Sequence, residues 1–389
     1  MRKVTAMVLA MLMVLAVCAP MGVLAESVAP ISVEMYAAKK VLIPGEITQF
    51  TVEVLPEGAS SQVTWKSSNK AIAKVDSDGY VTAMKKGKVT ITATTPNGKK
   101  ASKSLSVSMT FPGTKVRFYG IGNEHYLSAT QTYGSVRNVE RMEKAYKAAR
   151  YGGKKPTTTI GKNLRGQQMG EMIDSIALNP EIDEDDITIF YYSGHGIEAN
   201  NIEYRGALCG IDGVFVTVSY IQRALDMVPG NVVIIIDSCF SGQMIEQKGG
   251  TPANYAREFN DAWIGAFSNS KASNFAGKAV SDSPYRNKYF VLTASSNTQE
   301  SVCIQEIRNG KLGNAYGVFT EMFLKVIGNP KKTDKNKDKL LSMKEIHSPT
   351  KTLVRDFIKK INKANNRDYW MDVQAWPSTN SPFPIYSKK

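Results

Sequence analysis

The sequence predicts two folded units in series, an all-β sandwich followed by an α/β domain built on a mostly parallel sheet. Three observations lead there. From residue 30 to 108, alternating runs recur about every 8–12 residues between turn pairs such as Pro44-Gly45, Asp78-Gly79, Lys86-Gly87 and Asn97-Gly98. Beyond residue 114 the pattern changes to continuous apolar runs, 187–192 (ITIFYY) and 232–236 (VVIII), as expected of strands buried on both faces. Between those runs, segment 217–228 repeats its apolar residues Val218, Ile221, Leu225 and Val228 at helical spacing. Strand, helix and strand in that order predict a right-handed parallel crossover.

Taken in order, the first 25 residues belong to neither unit. Arg2-Lys3, a 14-residue apolar run over 4–17 and Val23-Leu24-Ala25 before Glu26 have the layout of a secretory leader, too short for a comfortable membrane span. A secreted chain is therefore expected, with 1–25 removed. The sandwich is expected over 26–108, with strands at 49–54, 63–66, 73–75, 80–84, 89–94 and 103–108, and 109–113 as linker. The α/β domain is expected over 114–389. Its predicted elements are a strand at 115–121, a helix at 137–150, a strand at 157–160 and a helix at 166–177. The acidic run 183–186 reads as a solvated turn, with cation binding as the alternative. After the second apolar run, 243–288 is rich in Gly, Ser, Asn and Lys with weak periodicity, which predicts a long exposed loop open to proteolytic nicking near Lys248, Arg257, Lys271, Lys278, Arg286 or Lys288. A strand at 289–293, a helix at 316–327 and a proline-bearing edge segment at 375–386 complete the chain.

With 42% apolar and 22% charged residues, the chain has the composition of soluble globular domains. Removing Arg2 and Lys3 leaves 47 basic against 35 acidic residues, a net charge of about +12. The basic residues are not interleaved with aromatics, so nucleic acid is not an expected partner, whereas an anionic cell envelope is. Three cysteines remain, Cys209, Cys239 and Cys303, and none has the C-x-x-C spacing of a zinc site. Cys209 and Cys303 either pair or remain two buried thiols, and a chain of this size needs no staple.

Both apolar runs end in reactive side chains. The first continues into Ser193-Gly194-His195-Gly196, the second into Asp237-Ser238-Cys239-Phe240-Ser241-Gly242. Ligands of open α/β sheets gather at the carboxyl ends of strands, so His195 and Cys239, 44 residues apart, are expected to converge as base and nucleophile. His125 and His347 have no such context.

YYSGHG followed by IIIDSCFSG resembles the caspase–metacaspase superfamily of cysteine peptidases, over roughly residues 114–388. The caspase string Gln-Ala-Cys-x-Gly is absent, and Asp237-Ser238-Cys239 is closer to the Asp-x-Cys of metacaspases and of clostripain-like and gingipain-like enzymes. The resemblance implies Cys239 as nucleophile, His195 as acid and base, and the backbone N–H groups of Cys239 and Gly196 as oxyanion donors. It also implies that Asp237 lines the primary pocket and pairs with Arg or Lys. One departure stands out: relatives often carry Asn-Asp-Ala where this chain has Arg137-Asn138-Val139. Segment 63–93 (VTWKSSNKAIAKVDSDGYVTAMKKGKVTITA) resembles the bacterial immunoglobulin-like domain, group 2, with Trp65 as core aromatic and Gly79 and Gly87 as turn glycines. In that family such domains serve as spacers or adhesive modules.

The resulting expectation is a secreted cysteine-type endopeptidase acting on protein or peptide substrates after Arg or Lys, with no cofactor required. The alternative is a surface adhesion or cell-wall-binding protein with an inert caspase-like domain. Acyl transfer such as transpeptidation would use the same dyad, and nothing in the sequence sets the oligomeric state. A separate motif points to calcium. Segment 334–345 places Asp334, Asn336, Asp338, Ser342 and Glu345 at loop positions 1, 3, 5, 9 and 12, the oxygen pattern of an EF-hand loop. Lys339 stands where the turn wants glycine, so either weak Ca2+ binding or a solvated polar hairpin is expected.

Overall fold

The computed structural model describes residues 28–109, 111, 113–127, 129, 131–197, 204–240, 262–263, 266–267, 288–296, 303–308, 311–366, 370–376 and 381–387. The leader at 1–25 and nearly all of the 243–288 loop lie outside the described residues.

Eight strands form the sandwich: β1 (Ser32–Ala37), β2 (Val41–Leu42), β3 (Ile47–Leu55), β4 (Thr64–Ser67), β5 (Ala73–Val75), β6 (Tyr80–Ala83), β7 (Gly87–Thr94) and β8 (Lys100–Val107). They make two four-stranded sheets, β1-β3-β6-β5 and β2-β8-β7-β4. Alternate residues point inward, so Phe50, Val81, Ile91 and Leu105 form the core while the intervening side chains meet solvent. Trp65 packs on this core but stays partly exposed. Gly79 turns at φ +83°, and a Cβ there would strike the Phe50 carbonyl and the Trp65 ring, so glycine is required.

The second domain begins with β9 (Val116–Gly122), α1 (Ser135–Ala148), β10 (Thr157–Lys162), α2 (Gly166–Ala177) and β11 (Ile187–Gly196). There follow β12 (Leu208–Cys209), β13 (Phe215–Val216), α3 (Val218–Asp226), β14 (Asn231–Phe240) and β15 (Tyr289–Ser296). The main sheet runs β10-β9-β11-β14-β15 and ends in a later strand, Met371–Trp376, with β12 attached beside β11 and β13 beside β12. Its first five strands are parallel. One apolar cluster joins its α1 face to later helices, and another joins the opposite face to α2 and α3. Thr217 starts α3 by accepting a hydrogen bond from the Tyr220 amide, as an N-cap does.

The remaining elements are β16 (Cys303–Arg308), β17 (Lys311–Gly317), α4 (Val318–Gly328), α5 (Pro330–Thr333), β18 (Leu340–Ser342), α6 (Met343–Asn365), β19 (Met371–Trp376) and β20 (Pro384–Ser387). Two expectations shift here. The β16–β17 hairpin was not foreseen, and the terminal edge divides in two: β19 closes the main sheet antiparallel to β15, while β20 pairs with β18. Among the described residues no helix is long and apolar enough to cross a membrane.

The sandwich docks at the amino ends of the parallel strands. Glu46 accepts from Lys39 Nζ at 2.7 Å and from Asn231 Nδ2 at 3.2 Å, and Lys39 also pairs with Asp185 at 3.1 Å. The acidic turn is therefore not simply solvated. Asp186 is fully buried, paired with Arg117 Nη1 at 2.5 Å and accepting from the Lys115 amide at 2.7 Å. Lys288, expected in an exposed loop, is buried as well. Its Nζ donates to the carbonyls of Leu225, Asp226 and Val228 at 2.9–3.0 Å, closing the C-terminal end of α3, and burial pushes its pKa down to about 8.

Candidate active site

The parallel register of β11 and β14 builds the site. Ser193 faces Asp237, Gly194 faces Ser238, His195 faces Cys239 and Gly196 faces Phe240. Ser193–Gly196 and Asp237–Phe240 thus form the last residues of their strands, while Ser241 and Gly242 lie outside the described residues. Neighbouring strands stand about 4.8 Å apart, so positions 195 and 239 are as close as sheet geometry allows. The Ser238 hydroxyl donates to the Gly194 carbonyl at 3.1 Å and ties the strand ends together.

His195 is 1% exposed and is held from several directions. Its amide donates to Tyr126 Oη at 2.8 Å, the two rings lie 4.4 Å apart, and its carbonyl accepts from Tyr192 Oη at 2.8 Å. Gly194 makes the clamp fit. A Cβ there would sit 2.5 Å from Tyr192 Oη and 2.8 Å from Tyr126 Oη. Tyr126 comes from the loop after β9, and sequence reasoning gave it no role. Gly196 is buried and pairs with Leu208 of β12 as well as with Phe240.

Asp237 is 4% exposed, below the paired positions. Its Oδ2 accepts from Thr320 Oγ1 at 2.6 Å, from the Thr320 amide at 3.2 Å and from Asn138 Nδ2 at 3.4 Å. Burial pushes its pKa up to about 6, and the Thr320 hydrogen bonds oppose that rise. Thr320 is the third residue of α4, whose N-cap is Gly317, so the carboxylate also serves an open helix N-terminus. Asn138 is therefore part of this site. Cys209 is buried nearby on β12, its Sγ donating to the Gly210 carbonyl at 3.3 Å, and burial pushes its pKa up to about 12.

The five oxygen residues of the 334–345 loop do gather, but they satisfy the loop itself. Asp334 accepts from the amides of Asp338 and Lys339, and Asp338 accepts from that of Leu340. Asn336 accepts from the Asp338 amide. Glu345 Oε1 takes the amides of Lys335 and Asn336, while its Oε2 takes the amide and hydroxyl of Ser342, closing a capping box on α6. Lys339 holds the sixth position at φ +70°, the left-handed turn that glycine makes at lower cost. Among the described residues no group of three or more His, Cys, Asp or Glu side chains is arranged to hold a metal. His347, on α6, is buried with Nε2 at 3.2 Å from the Val373 carbonyl.

Two family profiles fit this architecture. A family profile described as Caspase domain matches residues 120–366, and one described as Bacterial Ig-like domain (group 2) matches residues 28–105. A lacto-N-biosidase of Bifidobacterium bifidum is 45% identical over 64 residues, 16% of this chain and 6% of that protein. A solved intimin mutant from EHEC O157:H7 is 26% identical over 18% of this chain and 35% of that one, with a TM-score of 0.16. A crystal structure from Geobacter sulfurreducens covers 71% of this chain and 99% of its own at 17% identity, with a TM-score of 0.36. The chain spans 6–18% of the length of the curated relatives it matches.

Proposed function

The chain belongs to the caspase-domain family, and on that premise we propose that it is a secreted cysteine endopeptidase in which Cys239 and His195 act as a dyad and cleavage follows basic residues. The observation that carries this reading is the β11–β14 register, with His195 beside Cys239 at the carboxyl ends of two buried parallel strands.

A thiol becomes an effective nucleophile only as thiolate, so a base within reach of Cys239 is needed. His195 takes the proton, the thiolate attacks the scissile carbonyl, and the imidazolium then protonates the leaving amine. The tetrahedral oxyanion is met by the backbone N–H groups of Cys239 and Gly196, where the absent side chain lets the substrate carbonyl approach. Tyr126 and Tyr192 hold the His195 backbone, so the base enters the reaction already placed. Asp237 receives the basic side chain of the residue before the cut. The leader over 1–25 sends the chain out of the cell, and the Ig-like domain suits a surface or envelope-associated protein. Because that domain docks at the amino ends of the strands, it leaves the carboxyl ends to the substrate.

Purified mature chain tested on a panel of peptide amides decides the reading. Cys239→Ala is expected to abolish cleavage and thiol-directed labelling, and His195→Ala to lower the rate by about 10²–10⁴. Full activity in Cys239→Ala overturns the assignment.

A further inference from the structure

The two oxygens of Asp237 are not equivalent. All three hydrogen bonds described for this carboxylate end on Oδ2, and among the described residues none reaches Oδ1. The asymmetry comes from the junction between β17 and α4. The backbone passes so close there that a Cβ on Gly317 would lie 2.7 Å from Asn138 Nδ2 and 2.8 Å from Asp237 Oδ2. Asn138 is locked in turn, its Oδ1 accepting from the Gly317 amide at 3.1 Å and its Nδ2 donating to Ser193 Oγ at 3.0 Å. A threonine hydroxyl has one proton. With that proton on Asp237, Thr320 Oγ1 accepts from Tyr191 Oη at 2.7 Å, and the chain of bonds is complete. Freeing Oδ2 for a substrate would break several bonds that are buried and mutually supporting.

We infer that the pocket reads a basic side chain through Asp237 Oδ1 alone and therefore favours lysine over arginine before the cut, with Thr320 and Asn138 as the residues that set this preference. The inference rests on the proposed basic-residue reading of Asp237. The advantage of arginine at a carboxylate lies in two parallel N–H···O bonds from a planar fork, which require both oxygens. One available oxygen removes that advantage. It also leaves guanidinium donors desolvated without partners, which is costly. An ammonium is a compact point charge that one carboxylate oxygen satisfies, with its other protons free to meet a neutral acceptor such as Ser193 Oγ, directly across the register from Asp237. Asn138 adds no charge beside Asp237. Thr320 and Asn138 act through Asp237 and are positioning residues.

The test compares kcat/KM for matched peptide amides that differ only in Lys, Arg or Gln before the cut. Wild type is expected to favour Lys over Arg by about tenfold or more. Thr320→Val, which keeps the shape but loses the hydroxyl proton, is expected to bring the ratio toward one, and Thr320→Ser to restore it. Binding of the Lys and Arg peptides to Cys239→Ala is expected to show the same order, which separates recognition from chemistry. Arg equal to or better than Lys in wild type overturns the inference and leaves the basic-residue reading standing. Cleavage after Gln as fast as after either basic residue overturns both. An unchanged ratio in a folded Thr320→Val removes Thr320 from the device. Should that variant not fold, the wild-type ratio and the peptide-binding order still decide the preference.

Discussion

At the amino ends of the main sheet, Asp186 is completely buried and sits 2.5 Å from Arg117, while Lys39 bridges Glu46 and Asp185 between the domains. At the carboxyl ends, Asp237 is almost as buried, yet its hydrogen bonds come from the neutral groups of Thr320 and Asn138. A buried carboxylate beside a guanidinium is compensated within the fold. One held only by neutral donors keeps a raised pKa and gains most from a cation that arrives later. The first end of the sheet is built for cohesion. The second keeps a negative charge unmatched where the proposed substrate enters.

The contrast predicts opposite consequences for two similar substitutions, and the stability effect at the amino end is the larger. Asp186→Ala removes the buried carboxylate from the Arg117 guanidinium, which keeps only the Glu181 carbonyl at 2.7 Å and the exposed Glu181 carboxylate at 3.9 Å, and strands the Lys115 amide, so a loss of about 3–5 kcal/mol is expected in urea unfolding. A loss under 1 kcal/mol would mean that Arg117 reaches water at little cost, and the comparison would fail.

At the carboxyl end, Asp237→Asn is expected to remove cleavage after basic residues while leaving the fold intact. The sign follows from the pKa of about 6, raised by burial above the ordinary 3.8. The stability contributed by protonation is fully present below about pH 4 and is lost as pH rises through about 6. Above pH 6 the asparagine variant is therefore expected to match or exceed wild type in stability, by up to about 3 kcal/mol. Substrate recognition runs the other way. As pH falls through about 6 the carboxylate protonates, and kcat/KM for a lysine substrate is expected to drop about tenfold per unit. In Asp237→Asn the residual activity should lack that limb, which separates it from any titration of His195. A limb of equal slope in the variant assigns it elsewhere.

These contrasts were unevenly legible in the sequence. The two apolar runs announced β11 and β14, and turn residues after them marked where reactive groups would emerge, because buried parallel strands leave a strong local signature. Thr320 and Tyr126 gave no such sign. They meet Asp237 and His195 across 83 and 69 residues, and a threonine in the first turn of a helix or a tyrosine in a loop looks the same whether or not it holds a site. Lys288 ends a polar stretch and so looks exposed in the sequence, but its four-carbon stem reaches carbonyls that α3 leaves open. The β16–β17 hairpin did carry a signal, Asn309-Gly310 between its strands, masked by polar residues on both sides.

The smallest expected effect concerns a third cluster of acids, intermediate between the two ends of the sheet. Asp334, Asn336, Asp338, Ser342 and Glu345 have the spacing of a calcium loop, but the side chains are engaged with loop amides and Glu345 spends both oxygens on the turn and the α6 cap. Burial also raises the pKa of Asp338, which opposes a charged, cation-ready carboxylate. A calcium ion would have to share these oxygens with the amides while Lys335, Lys337 and Lys339 repel it, so any binding should be weak, in the millimolar range that extracellular modules reach. Titration calorimetry on wild type and Glu345→Gln separates the cases. A small heat in wild type that disappears in the variant makes the loop a calcium site, since the twelfth position supplies two oxygens that the amide cannot replace. Identical traces make it a self-capped turn, held like the acids at the amino end by partners already within the chain.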